Sequence, residues 1–230
     1  MAEERNAERI DANLLYVTME DLHDMPKQLY EGKITKLREK TQGQLIIKEY
    51  PTASAHSGHF KSLINELALK KSFRPDVIFI DYLNICASSR FKGGNISSYF
   101  YVKAIAEELR GLAVEFNVPI FSATQTTRTG YVSTDIGLED TSESFGLPAT
   151  ADFMFALISN EELEALGQMK IKQLKNRYND PSVNRAFIVG VDRSKMRLYD
   201  VQQSSQNIVD SNQVDEKEDA YNKFSDFKLW

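Results

Sequence analysis

A single cysteine, Cys86, excludes an internal disulfide and fits a reducing cytosol. Three histidines and that one thiol give no Ser-His-Asp or Cys-His arrangement with usable spacing, and Cys86 lies in an apolar context where a thiol is inert. No apolar run reaches the roughly 20 residues that cross a bilayer. No basic-then-apolar leader opens the sequence, so the expected location is the cytoplasm with no membrane partner. The net charge of −5 excludes a generally basic coat for nucleic acid, though not a small local patch. The most informative absence is a phosphate-cradling loop. The only Gly-Lys pair, Gly32-Lys33, has no glycine five residues before it and is followed by Ile34 instead of Ser or Thr.

What is present is the content of a buried core: 42% of the 230 residues are hydrophobic, enough for one large domain. Ala2 to Leu15 reads as a charged, uncapped helix, and a second helical region runs from Met19 to Lys40. An apolar strand is expected at Leu45–Tyr50. Ser57 then caps a helix whose apolar face is Phe60, Leu63, Ile64 and Leu67. Val77-Ile78-Phe79-Ile80 reads as a strand buried on both faces of a parallel sheet, ending in Asp81. Val102, Ile105, Ala106, Leu109, Leu112, Ala113 and Phe116 form one helical stripe, and strands follow at Val118–Ala123 and Phe153–Ile158. This alternation predicts an α/β fold with a mostly parallel sheet flanked by helices. Shorter strands near Ile171–Lys175, Phe187–Val191 and Met196–Val201 predict an antiparallel extension toward the C-terminus. Residues 202–230 are expected to form an acidic, disordered tail with an aromatic end, Phe224, Phe227 and Trp230.

Three segments carry candidate chemistry. Asp81 ends an apolar strand at the edge where open α/β sheets bind ligands, and there an aspartate can hold Mg²⁺. A turn-forming aspartate fits the same place. The next strand ends Ser122-Ala123-Thr124-Gln125, where a glutamine can donate to a phosphate and accept from water; an ordinary strand-to-loop transition reads the same. The polar run Thr126 to Tyr131 holds Arg128 beside Tyr131, and the Ser- and Gly-rich loop Ala87–Ser98 holds Arg90 and Lys92. Such loops can track a single nucleic-acid strand, or can simply be solvated surface. Along Lys172 to Tyr178, alternation puts Lys175 and Arg177 on one face, either reaching for an anion or keeping an edge strand from aggregating. His56-Ser57-Gly58-His59 has a spacing that sometimes ligates metal, but here it meets no cysteine and straddles a helix start.

The order of these elements resembles the RecA-like core of DnaB-type hexameric replicative helicases, most closely those of T-even-type and cyanobacterial phages. Ile80-Asp81-Tyr82-Leu83 is similar to the Walker B strand end, and Ser122-Ala123-Thr124-Gln125 to the glutamine motif. Leu138-Glu139-Asp140 through Glu143-Ser144, followed by Ala151-Asp152-Phe153, is similar to the stretch linking the DNA loop to the next strand, and Lys175-Asn176-Arg177 to the Lys-x-Arg finger. The resemblance covers 1–201 and implies an ATP- and Mg²⁺-dependent helicase moving 5′–3′ on single-stranded DNA in a homo-hexameric ring. It implies Asp81 as the metal ligand, with Gln125, Lys175 and Arg177 as catalytic and ATP-binding residues. Arg90, Lys92 and Arg128 would be the DNA-binding cations. The family's phosphate loop and catalytic glutamate would precede Met1. The expectation is therefore the carboxyl-terminal half of a motor domain from a split or truncated gene, inactive alone. Its partners would be a complementary amino-terminal half and a primase or helicase loader, in a phage-infected bacterial cytoplasm. The alternative is a non-catalytic RecA-fold subunit that completes or regulates a helicase assembly.

Overall fold

The computed structural model describes residues 2–91, 96–126, 136–140, 146–180 and 183–201. Among them the helices are α1 (Glu3–Leu15), α2 (Met19–Asp24), α3 (Lys27–Lys40), α4 (Ser57–Lys71), α5 (Ser98–Phe116), α6 (Gly146–Thr150) and α7 (Glu161–Ala165). The strands are β1 (Ile78–Ile80), β2 (Ile120–Ser122), β3 (Phe153–Ile158), β4 (Gln168–Asn176), β5 (Ala186–Asp192) and β6 (Arg197–Asp200). They form two sheets. β1 and β2 pair in parallel, with Ile78 opposite Ile120 and Ile80 opposite Ser122. The other has the order β3-β4-β5-β6, and both β4/β5 and β5/β6 are antiparallel.

The chain divides into two compact units, Tyr50–Ala156 with Gln173–Val183, and Met1–Glu49 with Leu157–Lys172 and Asn184–Trp230. In the first, the predicted α5 stripe is the core: Val102, Ile105, Ala106 and Leu109 are buried with Leu83, Cys86 and Leu147, and Ile80 and Phe60 pack against them. Asn117 closes α5 in a left-handed conformation (φ 51°), which asparagine tolerates better than most residues, and its turn delivers the chain to β2. In the second unit, Asn13 Nδ2 donates to the Met196 carbonyl at 2.6 Å and Met19 N to the Ser194 carbonyl at 3.0 Å. Lys195 and Arg197 lie 4.4 and 4.5 Å from the centre of the Tyr16 ring, at cation–π distance.

Four expectations are corrected. Leu45–Tyr50 is not a strand; it runs without regular structure, tied by Glu49 N donating to the Glu3 carboxylate at 2.9 Å. The helical region expected over Met19–Lys40 is interrupted into two helices, because Pro26 drives Met25 into an extended conformation (ψ 127°) and restarts the helix. α4 is capped by His56 instead of Ser57: His56 Nδ1 accepts from Gly58 N at 3.0 Å, and His59 Nδ1 accepts from His56 N at 3.2 Å. The His-x-x-His spacing is thus a reciprocal cap. Finally, among the described residues β1 is covered on one face only. Ile80 meets the α5 core, whereas Phe79 is 72% exposed and stacks on Phe121 with ring centres 5.4 Å apart.

Candidate functional site

The parallel register of β1 and β2 fixes the first cluster. Because Ile80 lies opposite Ser122, the residues that follow, Asp81 and Ala123, leave the sheet at the same carboxyl edge. Three hydrogen bonds lock that edge. Ser122 Oγ donates to the Ile80 carbonyl (2.8 Å), Leu83 N to the Ala123 carbonyl (3.1 Å), and Thr124 Oγ1 to Asn84 Oδ1 (2.9 Å). The Asp81–Tyr82 peptide is cis. Gln125 Nε2 reaches the Tyr82 hydroxyl at 3.4 Å, so the glutamine is tethered beside the residue that follows Asp81. Both Asp81 and Gln125 are exposed. Among the described residues no group of three or more His, Cys, Asp or Glu side chains could hold a metal. A lone exposed carboxylate nevertheless fits Mg²⁺, which keeps most of its waters and takes one or two carboxylates together with phosphate oxygens.

The segment after β1 is pinned to α5 by Glu108. That carboxylate accepts from Ser57 Oγ (2.9 Å), Ser88 Oγ (2.6 Å), Ser89 Oγ (2.7 Å) and Ser89 N (2.9 Å). Arg90, on the same segment, forms an ion pair with Glu107 at 2.5 Å. Lys92 and Arg128 lie outside the described residues, as does the tail 202–230.

The second cluster joins the end of β4 to α6 and β3. Arg177 donates through Nη1 to Asp152 Oδ1 (3.1 Å) and through Nη2 to the Ala149 carbonyl (3.0 Å), while its backbone N–H donates to the Asp152 carbonyl (3.0 Å). Arg110, from α5, donates to the other carboxylate oxygen, Asp152 Oδ2 (2.6 Å), and to the Thr150 carbonyl (2.8 Å). Lys175 Nζ donates to the Pro148 carbonyl. The last carbonyls of α6 thus each receive a cation, as helix C-termini favour. Burial, then the Arg177 and Arg110 charges, push Lys175 below its ordinary value, and Asp152 opposes them. Lys175 and Arg177 do share a face, since both reach the 148–152 segment. Sequence reasoning does not reveal that a carboxylate on this chain already holds Arg177, and it misses both Asp152 and Arg110. The only signal is Asp152's place immediately before β3.

A cavity of about 580 Å³ lies in the other unit, lined by Tyr16, Glu164, Asp192, Arg193, Arg197 and Tyr199, among others. None of the sequence-predicted site residues lines it, so the chemistry is assigned to the strand ends, where the motifs converge.

The fold is α/β and RecA-like. The structure superposes on a solved structure described as an ATPase domain with a TM-score of 0.71 at 16% identity, over 88% of this chain and 72% of that one. It also superposes on a structure described as a DnaB-like replicative helicase and its interactions with primase, with a TM-score of 0.68 at 16% identity, over 88% of this chain and 49% of that one. No protein-family model matches the sequence. By sequence the chain is similar to a DnaB-like replicative helicase of Enterobacteria phage T4: it is 44% identical to it over 231 residues, across 97% of this chain and 49% of the relative. It is 34% identical over 126 residues to a probable plasmid replicative DNA helicase of Chlamydia trachomatis, across 53% of this chain and 26% of that relative. The chain thus spans about half the length of the T4 helicase, and its match to the Chlamydia relative covers less of that protein still. No helix among the described residues is long and apolar enough to cross a membrane.

Proposed function

We propose that this chain supplies part of the motor of an ATP-driven replicative DNA helicase. The observation that carries the reading is the β1–β2 register, which sets Asp81 and the Tyr82-tethered Gln125 at one carboxyl edge. ATP with Mg²⁺, when bound, supplies the phosphoanhydride whose hydrolysis drives translocation. Asp81 offers the carboxylate for the metal, and Gln125 offers an amide that donates to the terminal phosphate and accepts from the attacking water. Lys175 and Arg177 reach toward the nucleotide of a neighbouring subunit in a hexameric ring, stabilising charge there. Arg90, Lys92 and Arg128 contact single-stranded DNA through its phosphates, and movement is 5′–3′. These 230 residues carry no phosphate-cradling loop, so the backbone donors for the triphosphate lie outside them, and these residues by themselves do not turn over ATP. A primase or loader completes the assembly, in the cytoplasm of a phage-infected host.

The test is DNA-stimulated ATP turnover of the assembled motor carrying single substitutions. Asp81→Asn should leave only background, and Arg177→Ala should lower turnover by about 10³-fold or more, the range for fingers supplied in trans. Near-normal turnover in Asp81→Asn would remove the metal assignment and, with it, the reading of the β1 edge.

A further inference from the structure

The Asp152 carboxylate divides its two oxygens between two guanidinium groups, Oδ1 to Arg177 at 3.1 Å and Oδ2 to Arg110 at 2.6 Å. Arg110 is fixed in turn by the Thr150 carbonyl at 2.8 Å, so its end of the bridge is anchored to α6. Arg177 is the looser partner. Its bond is the longer one, and its side chain is 45% exposed against 40% for Arg110. The bonds to Asp152 and Ala149 use one donor from each terminal nitrogen of Arg177, and a guanidinium has five. With Lys175 bound to the Pro148 carbonyl beside it, three cations lie around one carboxylate among the described residues at the end of β4.

We propose that Asp152 is the positioning residue for Arg177: anchored by Arg110, it holds the guanidinium in place and gives it up to a phosphate-type anion offered at the end of β4. The inference rests on the finger reading above and adds to it a resting partner within the same chain. A guanidinium kept in one orientation by a carboxylate and a carbonyl loses less freedom when a phosphate arrives than one that swings free. The cost is competition, since Asp152 must be displaced from Arg177 Nη1 when the phosphate takes its place. The Arg110 bond persists and keeps the released carboxylate from following.

The test uses the 230-residue chain with isotope-labelled arginine, inorganic tripolyphosphate as the anion, and low ionic strength so that screening does not hide the effect. In wild type, the Arg177 side-chain N–H resonance, assigned by its loss in Arg177→Lys, should stand apart from the exposed arginines and move on adding tripolyphosphate. In Asp152→Asn it should fall among the exposed arginines before any anion is added. Tripolyphosphate binding should then tighten by about tenfold, the worth of one competing charge-assisted hydrogen bond. If Asp152→Asn does not fold, Arg110→Gln replaces it; removing the anchor should shift the Arg177 resonance in the same direction. An Arg177 resonance unmoved by either substitution, or one that ignores tripolyphosphate, overturns the proposal. Failure of the helicase reading looks different, because an assembled motor without turnover leaves these resonances as expected.

Discussion

At Glu108, burial pushes the carboxyl up, but hydrogen bonds from Ser88, Ser89 and Ser57 outweigh it and hold the group at about 2, against an ordinary 4.5. A carboxylate depressed in the folded state contributes stability that is fully present above its ordinary value. That contribution is lost as pH falls from 4.5 through about 2. Glu108→Gln keeps the size of the side chain but leaves its hydroxyl and amide donors without a charged acceptor. We expect it to destabilise the chain near neutral pH by about 1–2 kcal/mol, the range for bonds to a charged group after allowing for solvent screening. We also expect it to flatten the fall in urea midpoint between pH 4.5 and about 2. An acid limb of unchanged steepness would show that other carboxylates carry it. The same substitution should loosen Ser88 and Ser89, whose hydroxyls Glu108 ties to α5, while the Arg90–Glu107 pair and the Ser88 N–H bond to the Tyr101 hydroxyl stay in place.

At the scale of elements, α5 organises the unit that carries the site. Ile105 is 1% exposed and lies at the centre of the cluster that receives Ile80, the residue before Asp81. Ile105→Ala should cost about 2–5 kcal/mol, the lost transfer energy plus an incompletely collapsed cavity, read from urea denaturation. A loss below about 1 kcal/mol would mean that the helix is not the element on which the β1 edge rests. This helix is legible in the sequence because its stripe is a local, 3.6-residue pattern. β1 and β2 are legible as apolar runs ending in polar residues, but their burial is not. A run such as Ile78-Phe79-Ile80 reads as two-sided whether or not anything covers the second face, and here Phe79 and Phe121 stack on each other in the open. Leu45–Tyr50 misleads for a related reason: its apolar residues fit a strand, and strands need partners that no single segment reveals. His56 escapes notice as a cap because Ser57 has the higher propensity, yet the imidazole nitrogen does the capping by accepting the Gly58 amide proton.

At the scale of the molecule, the two halves of the candidate site differ in how far the sequence exposes them. Asp81 and Gln125 can be placed at one edge by strand order alone. The holding of Arg177 cannot, because Asp152 lies 25 residues from it and 42 from Arg110, and only the folded chain brings the three together. The similarity to the T4 DnaB-like replicative helicase spans 97% of this chain but 49% of that relative. The direct measurement is steady-state ATP turnover, with and without single-stranded DNA, by these 230 residues alone and with a polypeptide matching the rest of the T4 relative. The account predicts background turnover alone and DNA-stimulated turnover once completed. Robust turnover by the 230 residues alone, lost in Asp81→Asn, would contradict it, as would a completed assembly that ignores DNA.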